Sequence, residues 1–552
     1  LAKYQTQAYF LTAMDRDPDT RDQFDVIVIG GALSGASTAF LLKRRNPALR
    51  ILVVEKNTAF KRRVGEATTE VSGFFLTRML GLTNYLVRTQ IPKNGLRFWF
   101  SKNPEGAPSE CSELGGKYLS TVPAFLIDRS ELDEEILRRA IGAGVELLRP
   151  AQVLDVQLEA GGMQELRVQS GSETKILKAR WVVDASGVKA QLARANGWLH
   201  TNEAHPTLAA WSRWRNTGDW DGLDSEMGND SSKKGFFGIR GTATNHFAGD
   251  GWWAWWIQLK NGDVSIGAVV DQRLVDWSEQ EGTVGEKLRG FLSRHPAARV
   301  MMRDAEFVEG DVHFRRNLPY WSERHAGDGF VLVGDASAFI DPLYSPGMDW
   351  IAFTASAAVE LIAKCQDGEN PGPLVEKHNR DFGISYQRMF GALYQDKYDY
   401  LGDIDLMRVA FRLDIVTYYL YIVRFLYKDG PQAILKPPFS PKEAGPFFRF
   451  MRFYNRRLAA MGRNRRERGV FGQHNEGQRD LVGGFNFRLG QLFRTAFDGL
   501  WIWLKLELQE GWRTGTSSQS QPKRTGRFFS AKAGDFDRGA GLPVNGNAPA
   551  TR

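Results

Sequence analysis

The chain has 552 residues, too many for one compact core, and its composition, 42% hydrophobic and 25% charged, is that of a globular protein. No apolar run reaches the roughly 20 residues that a spanning helix needs, so no membrane span is expected. The nearest candidate, residues 409–427, carries Arg412, Asp414 and Arg424, each costing about 2.5 kcal/mol or more at membrane depth, and is expected to be a buried or interfacial helix. Two isolated cysteines, Cys111 and Cys365, and eight histidines without ligand spacing exclude a disulfide framework and leave no metal to be expected. The chain begins at Leu1 without a basic, apolar, small-residue export signal, and a cytoplasmic setting is expected. Much of the formal +8 charge sits in one aromatic and arginine-rich stretch, 448–468. A solvated basic helix face is the expectation there, with a membrane surface, a nucleic acid or an acidic carrier protein as alternatives; no nucleic-acid partner is assigned.

In chain order, residues 24–29 form a β-branched run expected as a buried strand, followed by a glycine turn, an apolar helical stretch at 36–42 and a second strand at 51–54. Strand, helix, strand with short links predicts a parallel pair with a right-handed crossover. Two later apolar runs, 181–183 and 330–333, each lead into Asp-Ala-Ser and are expected as strands whose ends meet a cofactor. Segments 117–126 and 201–314 alternate like strands and concentrate tryptophan, predicting a substrate-domain sheet. From about Ile351 the period turns helical and continues intermittently to Trp512; beyond it, Gly, Ser, Pro and basic residues predict a flexible tail. The expected architecture is α/β. A doubly wound, Rossmann-like domain spans 24–365, made discontinuous by substrate-domain insertions at about 100–126 and 201–314. A helical C-terminal lobe follows at 366–512, and then a tail at 513–552.

The turn Gly30-Gly31-Ala32-Leu33-Ser34-Gly35 lies between predicted strand and helix, where glycines let backbone approach a pyrophosphate. Gly30 permits the turn and Gly35 permits close helix packing, with Ala32 in place of the middle glycine. Glu55, at the end of the second strand, is placed to accept a hydrogen bond from an adenosine ribose.

Three further segments carry a resemblance. Ile127-Asp128-Arg129, continuing through Leu132, Asp133 and Ile136, resembles the arginine segment of glutathione-reductase-type flavoproteins. Gly334-Asp335-Ala336, with Pro342 and Gly347, resembles their second flavin fingerprint. Val64-Gly65-Glu66-Ala67-Thr68, Pro92-Lys93-Asn94-Gly95-Leu96-Arg97-Phe98-Trp99 and Trp253-Ala254-Trp255-Trp256-Ile257-Gln258 resemble segments of the flavin-dependent halogenases that act on phenolic or carrier-bound aromatics. The likeness covers about 24–362.

This resemblance implies an FAD-binding domain, with Gly30, Ala32, Ser34, Gly35, Glu55, Glu66, Ala67, Arg129, Asp335, Pro342, Gly347 and Met348 at the cofactor. Lys93 is implied as the catalytic residue, holding hypohalous acid made from a flavin hydroperoxide and a halide, either through its ammonium or, if burial lowers its pKa, as a haloamine. Trp253 and Trp255 would wall the flavin from the substrate, while Trp252 and Trp256 are read equally as wall or as core. Chloride or bromide would bind near Ser345 and Gly347. Without a separate NADH fingerprint, reduced FAD would come from a partner flavin reductase. The substrate would be a small or carrier-protein-bound electron-rich aromatic.

The chain departs from the family pattern at three places. Gln258 stands for a proline, Tyr344 for the glutamate of the tryptophan halogenases, and Pro346 removes a backbone N–H near the halide. Three readings therefore stand beside halogenation: an FAD-dependent aromatic hydroxylase, a reductase resembling the geranylgeranyl reductases, and a flavin-retaining binding module.

Overall fold

The computed structural model describes residues 21–117, 119–222, 240–483 and 488–511; the tail expected at 513–552 lies outside them. Strand β1 (Gln23–Ile29) is a run of buried Val and Ile, helix α1 (Leu33–Arg45) packs its alanine-rich face beneath it, and β2 (Ile51–Val54) returns parallel to β1. The chain then leaves this sheet to form β3 (Leu96–Phe100) and β4 (Ser112–Gly116). It comes back through α2 (Arg129–Gly142), β5 (Glu146–Leu148) and β6 (Glu173–Asp184). Asp128 caps α2, its carboxylate accepting from the Ser130 N–H at 2.9 Å.

A second excursion supplies β7 (Thr207–Arg215), β8 (Thr244–Gly249), β9 (Trp252–Gln258), β10 (Val264–Asp271) and β11 (Glu306–Arg316). The chain re-enters the first sheet at β12 (Phe330–Leu332) and runs into the long helix α3 (Gly347–Gln366). The parallel order β12-β6-β1-β2-β5 is that of a doubly wound nucleotide-binding sheet, with the carboxyl ends of β1, β6 and β12 side by side.

The second sheet differs from the expectation. Its eight strands run β11-β7-β10-β9-β8-β3-β4 and then a strand from the C-terminal region, β13 (Arg479–Val482), parallel to β4. Among the described residues of the expected 117–126 segment only Phe125–Leu126 is extended, and it pairs with Ile91–Pro92 outside the sheet. Pro123 breaks the ladder there, whereas Phe98, Trp99 and Phe100 can be buried on both faces of a central strand. The insertion therefore begins at β3, before residue 100.

The C-terminal region is mainly helical, with α4 (Ile404–Tyr418), α5 (Gly445–Glu467) and α6 (Leu489–Glu510) among its described elements. Most of 409–427 is buried, as its interior charges require partners: Asp414 is paired with Lys397 at 2.8 Å. Segment 448–468 spans most of α5 and its C-cap Arg468, and only part of its charge is solvated, at exposed residues such as Arg456. Arg457, Arg463, Arg465 and Arg466 reach inward to Glu507, Asp399, Asp403 and Asp250 at 2.6–2.7 Å, because the surrounding elements place carboxylates opposite them. One apolar core runs from Val26 through Phe353 and Phe411 to Leu458, so the helices share it with the nucleotide-binding sheet. No helix among the described residues is long and apolar enough to cross a membrane.

Candidate active site

The β1–α1 turn is built for close backbone approach. Gly30 has φ +97°, and a Cβ there would lie 2.6 Å from the Ala185 carbonyl oxygen; a Cβ on Gly35 would overlap the Gly30 carbonyl. The Gly31 N–H donates to Glu55 Oε2 at 2.8 Å, and Oε1 accepts from the Asn57 N–H and side-chain amide at 2.8 and 2.7 Å. The turn and the β2 carboxylate are thus one unit. Ala32 precedes α1, and Leu33, Ser34 and Gly35 form its first turn, whose amides have no intrahelical acceptor.

Beyond the β12 end lies a cavity of about 1020 Å³. It gathers Glu66, Ala67, Arg129, Trp253, Trp255, Asp335, Pro342, Ser345, Gly347 and Met348, which are spread over nearly three hundred residues of sequence. Asp335 projects from the β12–α3 connection, its carboxyl pushed up by burial and held down by Arg129, Arg315 and Arg63. Arg129 is itself oriented by Asp133, Nε to Oδ1 at 2.9 Å. A cavity at the carboxyl ends of the strands, a glycine turn and an inward carboxylate fit a dinucleotide carrying an isoalloxazine. Glu66 is already committed: it accepts from Arg213 at 2.6 Å, both side chains 3% exposed, and burial nonetheless raises its pKa to about 7.

Strand alternation sorts the tryptophans. Trp253, Trp255 and Ile257 face the cavity, while Ala254 and Trp256 point to a separate core with Trp99 and Trp214. The same alternation in β8 brings forward His246, a residue that sequence reasoning missed although the period-2 pattern of Thr244, His246 and Ala248 contained the signal. His246 stacks on Phe98 at 4.6 Å and binds the Arg97 carbonyl through Nδ1 at 3.0 Å. Burial, with a smaller effect from Lys93, lowers its pKa to about 3, so the ring is neutral. The Trp253 indole donates to the Tyr398 hydroxyl at 2.8 Å, and that hydroxyl donates to Asp341 at 2.9 Å.

Lys93 opens onto a second cavity, about 1060 Å³, lined mainly by apolar and aromatic groups including Tyr344, Tyr394, Tyr418 and Tyr419. The two cavities share Pro346, Trp350 and Met389 as their partition. Lys93 is 5% exposed and donates from Nζ to the Thr68 carbonyl at 2.7 Å; burial lowers its pKa to about 8 against the opposing pull of Glu70 and Asp349. Asp349, which accepts from the Ser72 N–H at 3.1 Å, is raised by burial to about 7. Neither acid stood out in the sequence.

A strained turn leads into the partition. Tyr344 and Ser345 both take left-handed φ, +69° and +57°, uncommon for consecutive non-glycine residues. The Ser345 N–H is spent on the Pro342 carbonyl at 3.0 Å. The Tyr344 hydroxyl donates to Asp414 at 3.1 Å, anchoring the turn to α4. Pro346 then leads α3, whose first intrahelical bond is from the Trp350 N–H to the Pro346 carbonyl, leaving the Gly347 and Met348 amides at the cavity wall.

A doubly wound sheet with its glycine turn, a buried strand-end acid and a cavity walled by tryptophan define a dinucleotide-dependent oxidoreductase of the flavoprotein class. The family model described as tryptophan halogenase matches residues 25–109 and 103–392, and the chain belongs to that family of flavin-dependent halogenases. It is similar to the flavin-dependent halogenase chlA of Dictyostelium discoideum, 26% identical over 393 residues, with 63% of this chain and 61% of that protein covered. The chain thus spans less than two thirds of that relative's length. A 1H-pyrrole-2-carbonyl-[peptidyl-carrier protein] chlorinase of Pseudomonas fluorescens is 24% identical, with 59% of this chain and 72% of that protein covered. The fold is shared with halogenase PltM solved in complex with phloroglucinol and FAD, at TM-score 0.68 and 17% identity, covering 89% of this chain and 99% of that one.

Proposed function

We propose that this protein halogenates an electron-rich aromatic substrate using FADH2, O2 and chloride or bromide, with Lys93 as the catalytic residue. The carrying observation is that Lys93 lies buried on the wall of an aromatic cavity whose partition, Pro346, Trp350 and Met389, is also the wall of the cavity that fits FAD. FAD bound at Gly30, Ala32, Ser34, Gly35, Glu55, Glu66, Ala67, Arg129, Asp335, Pro342, Gly347 and Met348 supplies, when reduced, the oxidising equivalents from O2 that turn halide into hypohalous acid. The chain does the rest. Trp253 and Trp255 keep the organic substrate from the cofactor. The Ser345 hydroxyl and the Gly347 N–H offer donors to a halide, since Pro346 has none and the Ser345 N–H is used.

Lys93, with a pKa near 8, exists as both ammonium and amine close to neutrality. Its ammonium hydrogen-bonds the oxygen of hypohalous acid and polarises the halogen, or its amine forms the N–halogen bond with loss of water. In either case the ring attacks the halogen, and a base takes the ring proton. The four tyrosines and the apolar lining suit a phenol-like ring, free or presented by a carrier protein. Reduced FAD comes from a partner flavin reductase.

The test is turnover of phloroglucinol-type phenols with a flavin reductase, NADH and bromide or chloride. Halide-dependent product that vanishes in Lys93→Ala, while flavin reoxidation continues, supports the reading; wild-type halogenation in Lys93→Ala overturns it. The missing donor at Pro346 keeps aromatic hydroxylation as the second reading, and a hydroxylated product formed equally with and without halide would put it first.

A further inference from the structure

Helix α6 is apolar on both faces. Its inner face, with Leu492, Thr495, Gly499 and Leu506 buried, packs on α4; a Cβ on Gly499 would meet Leu413 at 3.1 Å. A surface helix ordinarily packs its apolar stripe on the core and turns polar residues outward. Here the outer face carries Leu489, Phe493, Phe497, Leu500, Leu504 and Leu508, between 39% and 73% exposed. Their spacing of three and four residues puts all six on one stripe, about 30 Å long at 1.5 Å per residue. Trp501 borders it, half exposed. The stripe continues onto α5, because Trp503 bridges the helices through ring contacts with Phe450 and Phe453, themselves 37% and 56% exposed. Together these side chains leave on the order of 1,000 Å² of apolar surface in water, against about 300–600 Å² for the largest patch on a typical monomer.

The exposed charge around the stripe is mainly basic. Arg456 on α5 and Arg494 and Lys505 on α6 are exposed, with Lys505 Nζ 5.2 Å from the Trp501 ring centre, an amphipathic pair of the kind that sits at a headgroup layer. Of the three carboxylates on α6, Glu507 and Glu510 are tied to Arg457 and Arg465, leaving Asp498. The sequence after α6, residues 512–552, holds seven Lys or Arg and two Asp. A twofold contact with another copy would press this positive rim against itself with little to balance it.

We infer that the outer face of α6, with Phe450 and Phe453 of α5, docks the protein flat onto an anionic lipid bilayer. The helix axis lies in the surface plane, the apolar stripe enters the acyl boundary, and the basic rim meets lipid phosphates. The inference is independent of the halogenase reading.

The test is flotation of the full chain with vesicles of phosphatidylcholine alone, and of phosphatidylcholine and phosphatidylserine at three to one. The expected result is co-flotation with the anionic vesicles and at least a tenfold smaller bound fraction on neutral ones. Phe493→Ser combined with Phe497→Ser should lose the bound fraction with an unchanged melting curve and circular dichroism, because both positions are more than 60% exposed. Arg494→Glu combined with Lys505→Glu should remove the preference for phosphatidylserine. Failure of the wild type to float, or equal flotation of the serine variant, overturns the inference. So does a concentration-dependent dimer, seen without lipid, that the serine variant dissolves, since a second copy would then own the face.

Discussion

The Trp253 indole donates to the Tyr398 hydroxyl at 2.8 Å, and the same hydroxyl donates to Asp341. A residue on the second sheet is thereby fixed by the C-terminal helical region and by the loop that leads to α3. Asp341 also accepts from His205 Nε2 at 2.9 Å, so Tyr398 and the residues leading to β7 meet at one buried carboxylate.

Tyr398→Phe should destabilise the fold by about 1–3 kcal/mol, because it leaves a buried indole N–H without an acceptor and takes one donor from Asp341. Trp253→Phe removes the donor itself. A thermodynamic cycle over the two substitutions should give a coupling of about 1 kcal/mol, measured by denaturant unfolding. Additive effects would show that the bond does not hold the tryptophan in place.

Gly35→Ala should abolish FAD binding and lower stability by more than about 4 kcal/mol, since the added methyl overlaps the Gly30 carbonyl and the β1–α1 turn must open. For the wild type, FAD at a hundredfold excess over its Kd adds about 2.7 kcal/mol. A thermal-shift comparison with and without FAD therefore reads both effects: a shift in the wild type, none in the variant.

Lys93→Met should stabilise the protein at pH 7 while removing its activity. Burial lowers the Lys93 pKa from 10.5 to about 8. Between those values the unfolded chain holds a proton that the folded one has released, so stability rises with pH across this window and the full penalty, about 3 kcal/mol, applies below pH 8. Loss of the bond to the Thr68 carbonyl offsets part of it, about 1 kcal/mol. Thermal melts should show Lys93→Met above wild type at pH 7, with the gap closing by pH 10.5. A variant less stable at both values would mean that Lys93 carries no burial penalty.

Lys397→Met should cost about 3–5 kcal/mol, because Lys397 is fully buried and its departure leaves the Asp414 carboxylate without its counter-ion. Asp414 also accepts from Tyr344 and from Tyr454. The strained Tyr344–Ser345 turn should loosen with it, so bromide KM should rise more than kcat falls. Adding Asp414→Asn should recover much of the stability, since the amide has no charge to balance; chemical denaturation of the single and double variants checks this.

The nucleotide-binding half was legible because its signals are local. A β-branched run, a glycine turn and a carboxylate at the next strand end lie within 33 residues, from 23 to 55, and each acts on backbone within a few residues of itself. The tryptophan alternation was legible for the same reason, period 2 being a property of one strand. His246 carried that period too, but one imidazole on a strand is most often core, and only the cavity on that face of β8 distinguishes it.

By itself the sequence determined the doubly wound start and its glycine turn, while most of the cofactor residues and Lys93 entered as what the family resemblance implies. Tertiary structure decided what stands beside that lysine. Glu70, Asp349 and the tyrosines of residues 344–419 reach its cavity from segments far apart in the chain, and the arginines of α5 found carboxylates on Asp250, Asp399, Asp403 and Glu507 that no local pattern pairs with them. β13 joined the second sheet as its last strand, 366 residues after its partner β4. The physical reason is common to all three. Burial of a charge or of a sheet edge is favourable only where a partner completes it, and the partner is fixed by packing of the whole chain, not by the spacing around the residue.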